Sequence, residues 1–211
     1  LSAVIAHEVR NPLAIIKNAL SGLRRKSLRT EDRGMLLDIV DEETDKLNRL
    51  MHDLLAYARP VAPRLGEVDL DELLHRSVAR ACGGVTGPVG LDVKIDTSQT
   101  IGALEGDTEL LVHAFVNVIE NALQAMPQGG KLEIKTRYAA VNGRACVAVD
   151  VSDTGEGMDT IVRQKARDPF FTTRPTGTGL GLAIVERVVR NHGGNIEIKS
   201  NHGEGTTVSI A

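Results

Sequence analysis

An imidazole beside a carboxylate, with an amide one helical turn further on, is a small kit for moving protons or phosphoryl groups. The chain opens on such a set, His7-Glu8-Val9-Arg10-Asn11-Pro12-Leu13. An imidazole is largely neutral at pH 7 and so serves as a nucleophile without strong tuning. Glu8 is placed to act as base or orienter, and on a helix Asn11 lies about one turn (~6 Å) from His7 on the same face. A helical His-Glu pair also begins the zinc motif HExxH. Asn11 stands where its second histidine belongs, so the zinc-protease reading fails. For His7 alone, a solvated or packed helix histidine is the plainer alternative.

Three further constellations follow. Asn117 and Asn121 stand one turn apart, flanked by Val116, Val118, Ile119 and Ala122. A buried amide left without a partner costs about 1–3 kcal/mol, so two on one face point to a polar ligand. An amide oxygen suits Mg²⁺ shared with phosphates; a capped or solvent-facing pair is the alternative. Asp153-Thr154-Gly155-Glu156-Gly157 closes an alternating strand. It reads either as a plain turn or as an adenine pocket, in which the carboxylate accepts the exocyclic amine and Gly155 and Gly157 admit the flat base. Thr176-Gly177-Thr178-Gly179-Leu180-Gly181 runs into a helix, where exposed N–H groups favour an anion. It is neither GxGxxG nor a P-loop, since Leu182 and Ile184 hold the third glycine positions and no GK[ST] follows. Upstream, Phe170 and Phe171 lie in a polar, Pro-bounded stretch that has the look of a lid with an apolar anchor.

These groups need elements to hold them. The seam Ala6, Val9, Leu13, Ile16, Leu20, Leu23 repeats by threes and fours, predicting a long helix from Ser2. A second seam, Leu37, Val40, Thr44, Leu47, Met51, Leu54, Ala58, follows the polar break at 27–33, making a helical hairpin. Ile5, Pro12, Ile15 and Ala19 form another stripe, so the hairpin buries too little alone and pairing into a dimeric four-helix bundle is expected. Pro60, Pro63 and Gly66 mark a linker. Beyond it, Asp69 and Asp107 are candidate caps for helices over 70–81 and 108–126. Alternation predicts strands over 89–95, 131–138, 145–152, 194–200 and 206–210, and a last helix over 180–192 closes on Gly193. This order argues an α/β sandwich with helices on one sheet face. The divisions are 1–59 hairpin, 60–67 linker and 68–211 catalytic domain.

Composition narrows the partners. The 211 residues carry 25 Lys plus Arg against 28 Asp plus Glu, a net charge of −3, so no general attraction to nucleic acid is expected. Cys82 and Cys146 have no disulfide or zinc spacing, which fits a reducing, cytoplasmic setting. The longest apolar run, 110–119, contains His113 and Asn117 and is about half of the ~20 residues needed to cross a bilayer, so no membrane contact is expected of this stretch. It reads as a fragment whose upstream segments are compatible with an anchor.

Taken in order, the boxes resemble the sensor histidine kinases of the GHKL superfamily, in the nitrogen-regulation-type branch with the HExRNPL phosphoacceptor motif. The resemblance covers essentially the whole chain: phosphoacceptor box at His7, N box at Asn117 and Asn121, first glycine box at 153–157, Phe box at Phe170 and Phe171, second glycine box at Gly177, Gly179 and Gly181. It implies a helical hairpin, dimeric as a four-helix bundle, followed by an α/β sandwich of the Bergerat ATP-binding type. It further implies ATP and Mg²⁺ as cofactors, His7 as phosphoacceptor, Glu8 as its base, Asn121 as metal ligand, Asp153 as adenine contact and Thr206 as a helper hydroxyl beside it. The next acceptor would be an aspartate of a response regulator receiver domain. An Asn at the spacing of Asn11 is linked in the family to phosphatase activity on that regulator. Gln124 stands where relatives place a basic residue, and Arg174 is the substitute candidate; Val4 stands where Gly is common. Two rivals are a GHKL ATPase of the gyrase or chaperone type and a nucleotide-binding scaffold. The first needs a Glu one turn before the metal Asn, where this chain has Asn117, an amide that cannot act as base. The full set of boxes argues against the second.

Overall fold

The computed structural model describes residues 2–24, 28–58, 62–83, 90–97, 104–141, 143–174 and 177–211. Pro60, Val89, Pro175 and Thr176, which the sequence reading used, lie outside the described residues. Two helices come first, α1 (Ser2–Leu23) and α2 (Thr30–Ala58), packed as a hairpin. The hairpin closes on a different stripe from the one its heptads suggest. Pro12, Ala19 and Leu50 are buried, and a Cβ on Gly22 would stand 2.9 Å from Leu36, while Leu13, Leu20, Leu37 and Met51 face outward. Neighbouring positions on a helix lie 100° apart, so each helix carries two apolar stripes. Pro12 and Ala19 are spent inside, seam residues such as Val9, Ile16, Leu47 and Leu54 are half-buried, and the alternate seam positions Leu13, Leu20, Leu37 and Met51 form the outward stripe.

The rest of the chain is a layered α/β domain: β1 (Gly66–Val68), α3 (Leu70–Ala81), β2 (Leu91–Asp96), β3 (Leu104–Gly106), α4 (Thr108–Gln124), β4 (Gly130–Val141), β5 (Arg144–Asp153), α5 (Thr160–Lys165), α6 (Gly181–Asn191), β6 (Ile196–Asn201) and β7 (Gly205–Ile210). The five-stranded sheet runs β2-β4-β5-β7-β6, with β2 parallel to β4 and the other pairs antiparallel. Period-two patterning divides its faces. Leu132, Ile134, Val149, Val151 and Val208 meet Leu73, Val112, Phe115, Ile119, Ile184 and Val188 of the helices in one core. On the other face Glu133 pairs with Lys135 at 2.6 Å and Arg137 with Asp150 at 2.8 Å.

β1 pairs with β3 in a short ribbon and begins at Gly66, inside the stretch read as linker. Asp69 caps α3 by accepting from Glu72 N at 3.0 Å, and Asp107 caps α4 by accepting from Leu110 N at 3.1 Å, as the sequence suggests. His192 stands at the C-terminus of α6, a place that the helix dipole alone would explain. Its Nε2 accepts from Asp107 N at 2.9 Å, while Nδ1 donates to the Val188 carbonyl at 2.8 Å. It ties the end of α6 to the start of α4.

Candidate functional site

Three elements converge on one cleft. α4 presents Asn117 and Asn121 because its apolar residues, Val112, Phe115, Val118, Ile119 and Ala122, face the core. The two amides therefore stand at the core's edge. They point at the start of α6: a Cβ on Gly181 would meet Asn117 Oδ1 at 3.0 Å and Asn121 Nδ2 at 3.6 Å. Gly181 is thus needed for the close approach of these helices. α6 has no side-chain cap of its own, which leaves its leading N–H groups open to an anion.

Asp153 ends β5 and faces a cavity of about 290 Å³ lined by Asn121, Ala125, Met158, Thr172, Thr206 and Val208 among others. Its Oδ1 accepts from Gly155 N at 2.8 Å and from Thr206 N at 3.2 Å. Burial pushes the carboxyl above the ordinary aspartate range, and those two N–H donors pull it part of the way back. With Oδ1 occupied, Oδ2 is the atom left for a ligand. The Thr206 hydroxyl stands 2.9 Å from Ser200 Oγ, which also accepts from Met158 N at 2.8 Å. Ser200 is a positioning residue the sequence does not announce, since a lone strand serine carries no local signal.

The glycines of the first box owe their identity to protein rather than to a base. A Cβ on Gly155 would stand 2.6 Å from Ala125, and one on Gly157, at φ 63°, would stand 2.0 Å from the Asn201 carbonyl. Gly157→Ala should therefore cost roughly 3 kcal/mol or more of unfolding free energy. Gly203→Ala, at φ 80° with nothing within 4 Å, should cost only about 1–2 kcal/mol. Denaturant midpoints of the two variants check this; equal losses would mean that only backbone strain matters.

Gly179 (φ 67°) lies against Phe170, whose N–H donates to its carbonyl at 2.8 Å and which itself holds φ 68°. A left-handed phenylalanine is a strained position, held here by its half-buried ring in the core. Gly177 backs onto Thr172, at 2.5 Å from Oγ1 for a Cβ. Arg174 reaches over to α4, donating to Gln124 Oε1 at 2.8 Å and to the Asn121 carbonyl at 3.3 Å. The cation that Gln124 lacks is thus brought to its side.

The second group lies apart, on the hairpin. His7 is exposed, with Asn11 Nδ2 at 3.3 Å and Glu8 Oε1 at 3.9 Å, both from Nδ1. Both contacts fall on Nδ1, which accepts from the Asn11 amide.

Residues 106–211 match the family described as histidine kinase-, DNA gyrase B- and HSP90-like ATPase, and residues 1–63 match the His Kinase A (phospho-acceptor) domain. A phosphoacceptor hairpin joined to an ATPase sandwich of this type is the domain pair of a protein histidine kinase. Over 210 residues the chain is 30% identical to the sensor histidine kinase ZraS of Escherichia coli K12, covering 100% of this chain and 44% of that protein. It is 33% identical over 213 residues to AtoS of the same organism, covering 100% and 34%. The crystal structure of the histidine kinase ThkA in complex with the response regulator protein TrrA shares the fold, with a TM-score of 0.76 at 24% identity over 99% of this chain and 59% of that one. Full-length ShkA in complex with AMPPNP gives 0.67 at 25% identity over 99% and 44%. The chain belongs to the sensor histidine kinases of two-component systems, in the GHKL superfamily. It spans less than half the length of those curated relatives. Among the described residues no helix is long and apolar enough to cross a membrane.

Proposed function

We propose that this chain binds ATP with its adenine at Asp153 and its phosphates between α4 and the start of α6, and transfers the γ-phosphoryl group to Nε2 of His7. The observation that carries this is the placement of Asp153, Asn117, Asn121 and the Gly177, Gly179, Gly181 segment around adjoining cavities, beside a hairpin that exposes His7. Attack by Nε2 needs the ring proton on Nδ1, so Asn11 Nδ2, which donates to Nδ1 in the resting hairpin, turns aside and Glu8, 3.9 Å away, closes on Nδ1 to take that proton. The N–P bond forms as the bond to the β-phosphate oxygen breaks, and ADP departs. Positioning supplies most of the catalysis in such a loose transition state.

The donor set suits Mg²⁺. Asn121 offers a hard amide oxygen at the mouth of the phosphate cavity, Asn117 Oδ1 lies alongside, and an ion that keeps several waters and shares phosphates asks for few protein ligands. Bound there, the ion would neutralise developing phosphate charge. Arg174 serves as the basic partner of the phosphates. Asn117 donates Nδ2 to the His113 carbonyl at 2.9 Å and has no basic atom to activate water, which favours transfer over hydrolysis.

The onward acceptor in this reading is an aspartate of a response regulator receiver domain, the class of partner seen with ThkA. A second copy of the chain covers the outward seam of Leu13, Leu20, Leu37 and Met51, giving the four-helix bundle. Work on ATP places the domain pair in the cytoplasm. Incubation with labelled Mg-ATP should put acid-labile, base-stable phosphate on the chain; acid-stable phosphoserine or phosphothreonine would overturn the reading.

Phosphatase activity toward the phosphorylated regulator rests on Asn11. An amide 3.3 Å from the His7 ring holds a water without taking its proton, as attack on an aspartyl phosphate requires. Asn11→Ala should keep at least half of autophosphorylation while slowing regulator dephosphorylation ~10-fold or more. Dephosphorylation at the wild-type rate would leave Asn11 as a mere companion of Pro12.

A further inference from the structure

Among the described residues, a side-chain hydrogen bond ties the hairpin to the sandwich. Thr178 Oγ1 donates to Asp53 Oδ2 at 2.6 Å, across 125 positions of sequence. Thr178 belongs to the glycine segment that leads into α6, and its hydroxyl also accepts from Leu180 N at 3.4 Å. The start of α6 favours negative charge, and Asp53 is the carboxylate that α2 delivers to it. Around this bond Tyr57 lies under the Arg187 guanidinium at 5.8 Å, and Leu50 and Leu54 join the sandwich core.

Asp53 shares one cavity, about 990 Å³, with Asn117, Asn121, Gly177, Gly179 and Gly181. Its charge is felt on α4 too: Glu120 is pushed up first by burial and then by Asp53. Arg49, Arg80, Arg174 and Arg187 line the same cavity, where Arg80 stands 3.8 Å from Glu109 and Arg174 donates to Gln124 at 2.8 Å.

We propose that Asp53 is a built-in competitor for the phosphate end of the nucleotide cavity, so that a docked hairpin selects against a bound triphosphate. The inference rests on the reading of this cavity as a nucleotide site. A triphosphate entering it meets a fixed negative charge that already holds the Thr178 hydroxyl. By linkage, triphosphate binding loosens the hairpin from the sandwich, and docking weakens triphosphate binding by the same factor. A diphosphate, lacking the most distant charge, feels Asp53 least.

Calorimetric titration of wild type, Asp53→Asn and Asp53→Ala with Mg-ADP and with Mg-AMPPNP tests this. Both variants should bind AMPPNP ~3- to 10-fold more tightly while ADP changes less than ~2-fold. Asp53→Asn keeps an acceptor for Thr178 and removes only charge, so its gain separates repulsion from the loss of the bond. AMPPNP affinity that is unchanged or weaker in both variants, or an equal gain for ADP, overturns the proposal. Wild type that binds neither nucleotide would refute the nucleotide reading itself, and the competitor with it.

Discussion

His7→Gln protein incubated with Mg-ATP should carry no acid-labile phosphate, a loss of at least ~10³-fold or about 4 kcal/mol in the barrier. The glutamine amide has no basic nitrogen, since its lone pair is delocalised into the carbonyl. The His7 side chain is 68% exposed, so the substitution removes no packing and the hairpin should keep its helical signal. Nucleotide affinity should not change, because His7 lines neither nucleotide cavity. The chemical rival is His113, whose ring burial pushes towards the neutral form despite the attraction of Asp53. It lies edge-on to His52 at 6.1 Å and is half-buried, a poor stance for in-line attack. Full labelling of His7→Gln would shift the acceptor to that pair and end the present assignment.

Chemistry was more legible in this sequence than packing. The boxes could be found because each needs particular atoms: an imidazole, an amide one turn from another, a carboxylate at a strand end. Asp69 and Asp107 announced α3 and α4 because a cap is a local event between residues three apart. β4 showed itself through the alternation of Leu132 and Ile134 with Glu133 and Lys135. By contrast, β1 and β3 have three residues each and α5 six, too short for a period to register. Which apolar stripe closes the hairpin was not readable, because Pro12 and Leu13 differ by 100° and both are apolar. The need for glycine at Gly157 comes from Asn201, and the second hold on Thr178 from Asp53; contacts so distant in sequence leave no local trace.

Asp153→Asn should lower affinity for every adenine nucleotide by ~10²-fold or more, with or without Mg²⁺, while the protein stays folded. The structure says why asparagine is the better test than alanine. Oδ1 of Asp153 accepts from the backbone of Gly155 and Thr206, and alanine would orphan both donors at about 1–3 kcal/mol each. Asparagine keeps that oxygen and turns the other atom into an N–H donor, which in the proposed site would oppose the donating exocyclic amine of adenine. Asn121→Ala should differ in kind: calorimetry should show binding without Mg²⁺ nearly intact and the Mg²⁺-dependent gain lost. Unchanged binding in both variants would refute the cavity as an ATP site. pH supplies an independent mark. Burial raises the folded-state value of Asp153, so the stability it contributes is present below its unfolded value of 3.8 and is lost as pH rises through the folded value. In the proposed site adenine would need the ionised form and would offset that penalty by giving it a partner. Wild-type affinity should therefore fall on acidification, beginning above the pH where an ordinary aspartate titrates, and this part of the fall should vanish in Asp153→Asn, which has no proton to take up.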